Sequence, residues 1–161
     1  MGIKKIIIIM IFGFLINGCI PKTYEKEESV FILFKTPSLK HADLGFIAKA
    51  KDGIKVEIYG VGQPLMSLRI DKKSVCLSLL ACMDKKQFNT EVLSRFYPLD
   101  TLENIFQGKK IFGGKGYKMT EHGFEQMIVK QESYNINYSI LKNQIVFKDT
   151  INDIVIQVRK I

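Results

Sequence analysis

Covalent chemistry in this chain rests on its three cysteines, Cys19, Cys76 and Cys82. Cys76 and Cys82 lie six positions apart, one near the end of an apolar run and the other just before the polar turn Met83-Asp84-Lys85-Lys86. So short a loop can bring two Cα atoms within disulfide range. Closing it would contribute roughly 2 kcal/mol by restricting the unfolded chain. The alternative is a pair of buried free thiols. Metal chemistry has little to build on, because His41 and His122 stand in unrelated segments without ligand spacing.

Other catalytic patterns fail on their own requirements. Gly108-Lys109-Lys110-Ile111-Phe112-Gly113-Gly114-Lys115-Gly116 begins like a phosphate loop. That motif needs a lysine directly after its second glycine and then Ser or Thr opening a helix. Gly114 occupies the lysine position, so the segment reads as a basic loop. There is no Gly-x-Ser-x-Gly elbow, no His-Glu-x-x-His and no carboxylate pair in an apolar setting. Asp52, Asp71 and Asp149 all fall at expected turns, where aspartate bonds nearby backbone. The expectation is a protein that is not an enzyme and holds no cofactor or metal.

Cys19 is different. Lys4 and Lys5 give a basic start, an apolar run extends from Ile6 to Ile16, and Gly18 precedes the cysteine. At 1.5 Å per residue the run is too short to span a bilayer. The order of basic, apolar and small residues resembles a bacterial lipoprotein signal. The resemblance implies that 1–18 is a signal peptide and that Cys19 becomes a lipidated first residue carrying palmitate-type chains. Several buried acyl chains anchor firmly where one holds only transiently. Ile20 stands where an Asp would retain an enteric lipoprotein at the inner membrane, so the resemblance implies delivery to the periplasmic face of the outer membrane.

The elements that must be positioned behind this anchor follow from periodicity. Pro21 to Ser29 is polar and aperiodic, which suits a tether over 19–29 and a single domain over 30–161. Val30 to Lys35 is a compact apolar run. Leu44, Phe46 and Ala48, then Ile54, Val56 and Ile58, then Met66, Leu68 and Ile70, alternate with their neighbours as half-buried strands do. Lys51-Asp52-Gly53 marks a hairpin. Phe88, Val92 and Phe96 recur at helical spacing and predict a helix from about Gln87 to Phe96, stopped by Pro98. Asp100 and Glu103 predict a capping box opening a second, short helix that ends at Gly108. Strands resume with Tyr117 to Met119 and Phe124 to Lys130. Tyr134, Ile136, Tyr138 and Ile140 alternate, as do Ile154, Ile156 and Val158. The predicted fold is mainly β with two helices, of α+β type: one strongly curved antiparallel sheet covered by the helices on its concave face.

The net charge of +8 is spread along the chain with acidic residues between, which favours weak attraction to anionic membranes over a nucleic-acid docking stripe. Nucleic acid is not expected as a partner, and a monomer is.

Two stretches resemble a known family. The strand, Gly-rich turn and strand from Ile54 to Ile70, with Val61 between Gly60 and Gly62, are similar to part of the LolB-type outer-membrane lipoprotein receptors. So are Phe88 to Lys110, including Leu99-Asp100-Thr101-Leu102-Glu103-Asn104-Ile105-Phe106-Gln107-Gly108. The resemblance, over about a third of the chain, implies a half-open β-barrel closed by helices, as in LolA and LolB. Its apolar interior would accept the acyl chains of other lipoproteins from a periplasmic carrier. On this reading Phe46, Ile58, Leu68, Phe96, Phe106 and Tyr138 line an apolar groove, and Val61 is the membrane-contact residue of the hairpin loop. The same six side chains could equally be core. The competing expectation is a structural or accessory lipoprotein that binds a protein partner in the periplasm.

Overall fold

β-branched and aromatic residues in period two build almost the whole of this molecule, a computed structural model that describes residues 24, 26–78 and 81–161. Strands β1 (Lys26–Lys35), β2 (Lys40–Ala50), β3 (Gly53–Gly60), β4 (Gln63–Asp71), β5 (Ser74–Leu77) and β6 (Ala81–Asp84) follow one another by short turns. Helices α1 (Lys85–Val92) and α2 (Thr101–Gln107) and a 3-10 turn (Phe112–Gly114) come next. Strands β7 (Tyr117–Thr120), β8 (Gly123–Lys130), β9 (Tyr134–Leu141), β10 (Gln144–Asp149) and β11 (Ile154–Lys160) complete the chain.

All eleven strands form one antiparallel sheet in the order β6-β5-β4-β3-β2-β1-β11-β10-β9-β8-β7. The first and last strands therefore meet in its middle, Phe34 opposite Ile156 and Ile32 opposite Val158. β6 and β7 are the two edges, and the chain between them must cross the sheet from one edge to the other.

This corrects the half-open barrel expected from the sequence. The sheet is a single open one, and the helices, of eight and seven residues, are too short to cover a barrel. The reason is local. The predicted helix to Phe96 ends at Val92, because Leu93 leaves helical geometry and the Asn89 amide donates to the carbonyls of Tyr97 and Pro98, folding the chain back.

The connection from Lys85 to Gly116 nevertheless contributes Phe88, Leu102, Ile105, Phe106 and Ile111 to the same core as Val30, Ile32, Val56, Ile136 and Phe147 from the sheet. Each such side chain, fully buried, is worth about 1.5–3 kcal/mol. Polar bonds fix the connection in place. Gln126 on β8 accepts from the Ile111 amide at 2.9 Å and donates to the carbonyls of Ile111 (3.0 Å) and Lys115 (2.8 Å). The Tyr138 hydroxyl donates to the Lys109 carbonyl at 2.9 Å. The Tyr97 hydroxyl donates to Asp149 at 2.5 Å, and Asp149 also accepts from the Asn135 and Ile151 amides.

β1 begins at Lys26, paired with Lys49 of β2, so the last part of the segment 19–29 expected as a tether is strand. Cys19 and the segment 1–18 expected to be a signal peptide lie outside the described residues.

Candidate functional site

The β3–β4 hairpin closes on two residues, Val61 with φ 51° and Gly62 with φ 77°. Two successive left-handed residues make the turn type that matches strand twist, and Asn or Gly normally fills its first position. A β-branched residue there is an outlier, strained by roughly 1–2 kcal/mol. Val61 is also wholly exposed, so no packing offsets that strain.

Behind the turn the pairing slips between Ile58 and Tyr59, so that Tyr59 faces Pro64 and Leu65 is left unpaired. Gly60 makes room for it. A Cβ at Gly60 would sit 2.5 Å from the Leu65 side chain, which lies across the hairpin. Leu65, half exposed, joins Leu39, Pro64, Met66, Leu77 and His41 around an open, mostly apolar groove of about 320 Å³ beside the turn. A second depression of about 470 Å³ lies over β7 to β10, with Lys118, Glu125, Asn137, Ser139 and Lys148 among its walls. It is the more polar of the two.

The six side chains read as a groove lining separate into two groups. Ile58 and Leu68 are 0% exposed and Phe106 and Tyr138 are 1% exposed. All four belong to the packed core, and Tyr138 also reaches the wall of the depression over β7 to β10. Burial pushes the Tyr138 phenol well above its usual pKa. Phe46 and Phe96 are surface residues. In β2 it is Ile47, opposite Val56, that turns inward, and Phe46 packs edge-on against Tyr59 with ring centres 5.8 Å apart. Phe96 falls beyond the end of α1, where Arg95 lies 4.9 Å from its ring. The lining is thus not a set, and the structure brings none of these six into the groove at the hairpin.

Cys76 and Cys82 face one another across β5 and β6, with Cα atoms 3.9 Å apart and sulfurs at bonding distance. The Arg69 guanidinium lies 3.2 Å from the Cys76 sulfur. Among the described residues no three His, Cys, Asp or Glu side chains converge as a metal site, and no helix is long and apolar enough to cross a membrane.

Sequence reading missed the groove residues Leu39, His41, Pro64, Leu65 and Leu77. One signal was present. Pro64-Leu65-Met66 places three apolar residues in a row inside an alternating strand, so at least one had to face outward. No protein-family profile and no curated protein matches the chain.

Proposed function

We propose that the protein is an envelope lipoprotein, anchored through Cys19 at the periplasmic face of the outer membrane, that takes up acyl chains or acylated lipoproteins at the groove beside the β3–β4 hairpin. The role resembles that of the LolB-type receptors, with a periplasmic carrier as donor. One observation carries the reading: a strained, fully exposed Val61 beside an apolar groove of about 320 Å³. Strain that the fold does not need, at an exposed apolar residue, is a mark of function. The groove is at the small end of ligand sites. Burying about six methylenes in it would supply about 5 kcal/mol, at about 0.8 kcal/mol each, enough for a reversible hand-over. No covalent step is required.

A second reading, an accessory lipoprotein that binds a periplasmic protein, draws on the filled interior around Ile58 and Leu68 and on the exposed Leu44 and Phe46 of β2. Titration of the full-length protein with a fluorescent fatty acid separates the two. The acyl reading expects saturable binding that weakens about tenfold in Val61→Asn or Leu65→Ser. Val61→Asn should at the same time raise stability by about 1 kcal/mol, because Asn tolerates the left-handed turn. Failure of the wild-type protein to bind any acyl probe would favour the protein-partner reading.

A further inference from the structure

The far end of the strands carries a different chemistry from the hairpin turn. Lys26 of β1 stands directly opposite Lys49 of β2, and Val30, on the same face of β1, stands opposite Lys160 of β11. Between them Glu28 takes Lys26 at 2.7 Å and Lys160 at 3.0 Å. One carboxylate thus serves two ammonium groups. The pair of lysines holds the Glu28 carboxyl down to about 2.

Lys109 adds to the same end. A Cβ added at Gly108 would lie within about 4 Å of the Ile140 and Ile145 side chains, and Ile145 lies opposite Val158, two residues before Lys160. Lys49 is half-buried and has no ion-pair partner among the described residues. Burial pushes its pKa down; Glu28 opposes this, and the charges of Lys160, Lys26 and Lys109 lower it further. Among the described residues Glu28 is the carboxylate that faces this group of ammonium charges, and an anion from outside the chain would supply further counter-charge.

We infer that the Lys26, Lys49, Lys109 and Lys160 cluster docks on the phosphates of anionic lipid headgroups in the membrane that holds the anchor. The source of the anion follows from reach. The seven steps from Cys19 to Lys26 span at most about 25 Å, so a lipidated Cys19 keeps this end of the sheet at the bilayer surface. A polybasic patch beside an acyl chain is a second anchoring signal. Orientation follows as well. The β3–β4 turn, at the opposite end of the strands, then points away from the anchoring membrane, where a donor can reach the groove. The inference rests on the Cys19 anchor proposed above but not on the acyl groove.

The test is lysine labelling. Full-length protein is reconstituted in phosphatidylcholine vesicles with or without phosphatidylglycerol, and modification by a small amine reagent is followed at each lysine by mass spectrometry. Each cluster lysine should react about fivefold more slowly on the anionic vesicles. High salt should reverse the protection, and exposed Lys40, at the hairpin end, should be unaffected. Equal rates on both vesicle types overturn the inference, and equal protection by inorganic phosphate alone makes the cluster a free-anion site instead. The mass of the amino-terminal peptide from the same digest decides separately whether Cys19 carries acyl chains, and the fatty-acid titration decides the groove.

Discussion

Gln126 is an amide sealed into an apolar core, 2% exposed, and its three hydrogen bonds all go to backbone groups of the segment that crosses the sheet. Gln126→Leu should cost about 2–4 kcal/mol in urea unfolding, because it removes the side-chain partner of the Ile111 amide and of the Lys115 carbonyl, while the Ile111 carbonyl keeps the Gly114 amide. Asp149 makes a parallel case with a charge. Burial alone would raise its pKa, but the bonds from Tyr97, the Asn135 amide, Asn152 and the Ile151 amide outweigh it, so the carboxyl is held below its ordinary value. A carboxyl with a depressed folded-state pKa adds stability above its unfolded pKa and loses it as pH falls through the folded one. With Glu28 also depressed, from 4.5 to about 2, the urea midpoint should drop steadily below about pH 4.5. Asp149→Asn should flatten that decline, and a slope unchanged by the substitution would count against this assignment. The turn at Asp149 is legible from residue type. Its bond to Tyr97, 52 positions away, is not, because no local pattern encodes a distant partner.

At the scale of elements, the two helices show where local signals mislead. Asp100 and Glu103 have the spacing of a capping box, yet Asp100 is helical and makes no capping bond; it accepts from Asn104 instead. Glu103 pairs with the buried Lys85 at 2.7 Å, a tertiary contact that outcompetes the local one. The cap that does form is Asp84 on the Gln87 amide, at a site that reads in sequence as part of a polar turn. Asp84→Ala should therefore cost about 1 kcal/mol. Asp100→Ala should cost a few tenths, from its bond to Asn104 alone. Circular dichroism with urea titration of both variants checks the contrast, and the reverse order would restore the capping box. Strand periodicity is the stronger signal, but alternation names two faces without saying which is inward. In β2 both phases carry large apolar residues, and the choice falls to Ile47 through its partner Val56, so Phe46 goes outside.

At the scale of the molecule, the antiparallel strands and the two helices between them follow from period and turn chemistry, whereas the arrangement of the sheet depends on one pairing that the sequence does not announce. β1 meets β11 from the far end of the chain, and this contact alone joins β2–β6 to β7–β10 in one sheet. The expectation of a curved sheet covered by helices came from the order of elements, and that of a half-open barrel from resemblance. The sheet stays open, and the crossing segment carries only two short helices. Truncation before Ile154 tests the dependence. It removes six register pairs to β1 and six to β10, and takes Ile154, Ile156 and Val158 out of the core. At about 1.5–3 kcal/mol for each buried side chain, that loss matches or exceeds much of the net stability of a domain this size. It also exposes β1 and β10 as bare central edges, prone to pairing with other chains. The truncated protein should show no cooperative unfolding transition and should aggregate, while removal of Ile161 alone, which is exposed, should leave the melting temperature unchanged. A sharp transition retained without β11 would mean that the two halves fold as separate units and that the central pairing is not what unites them.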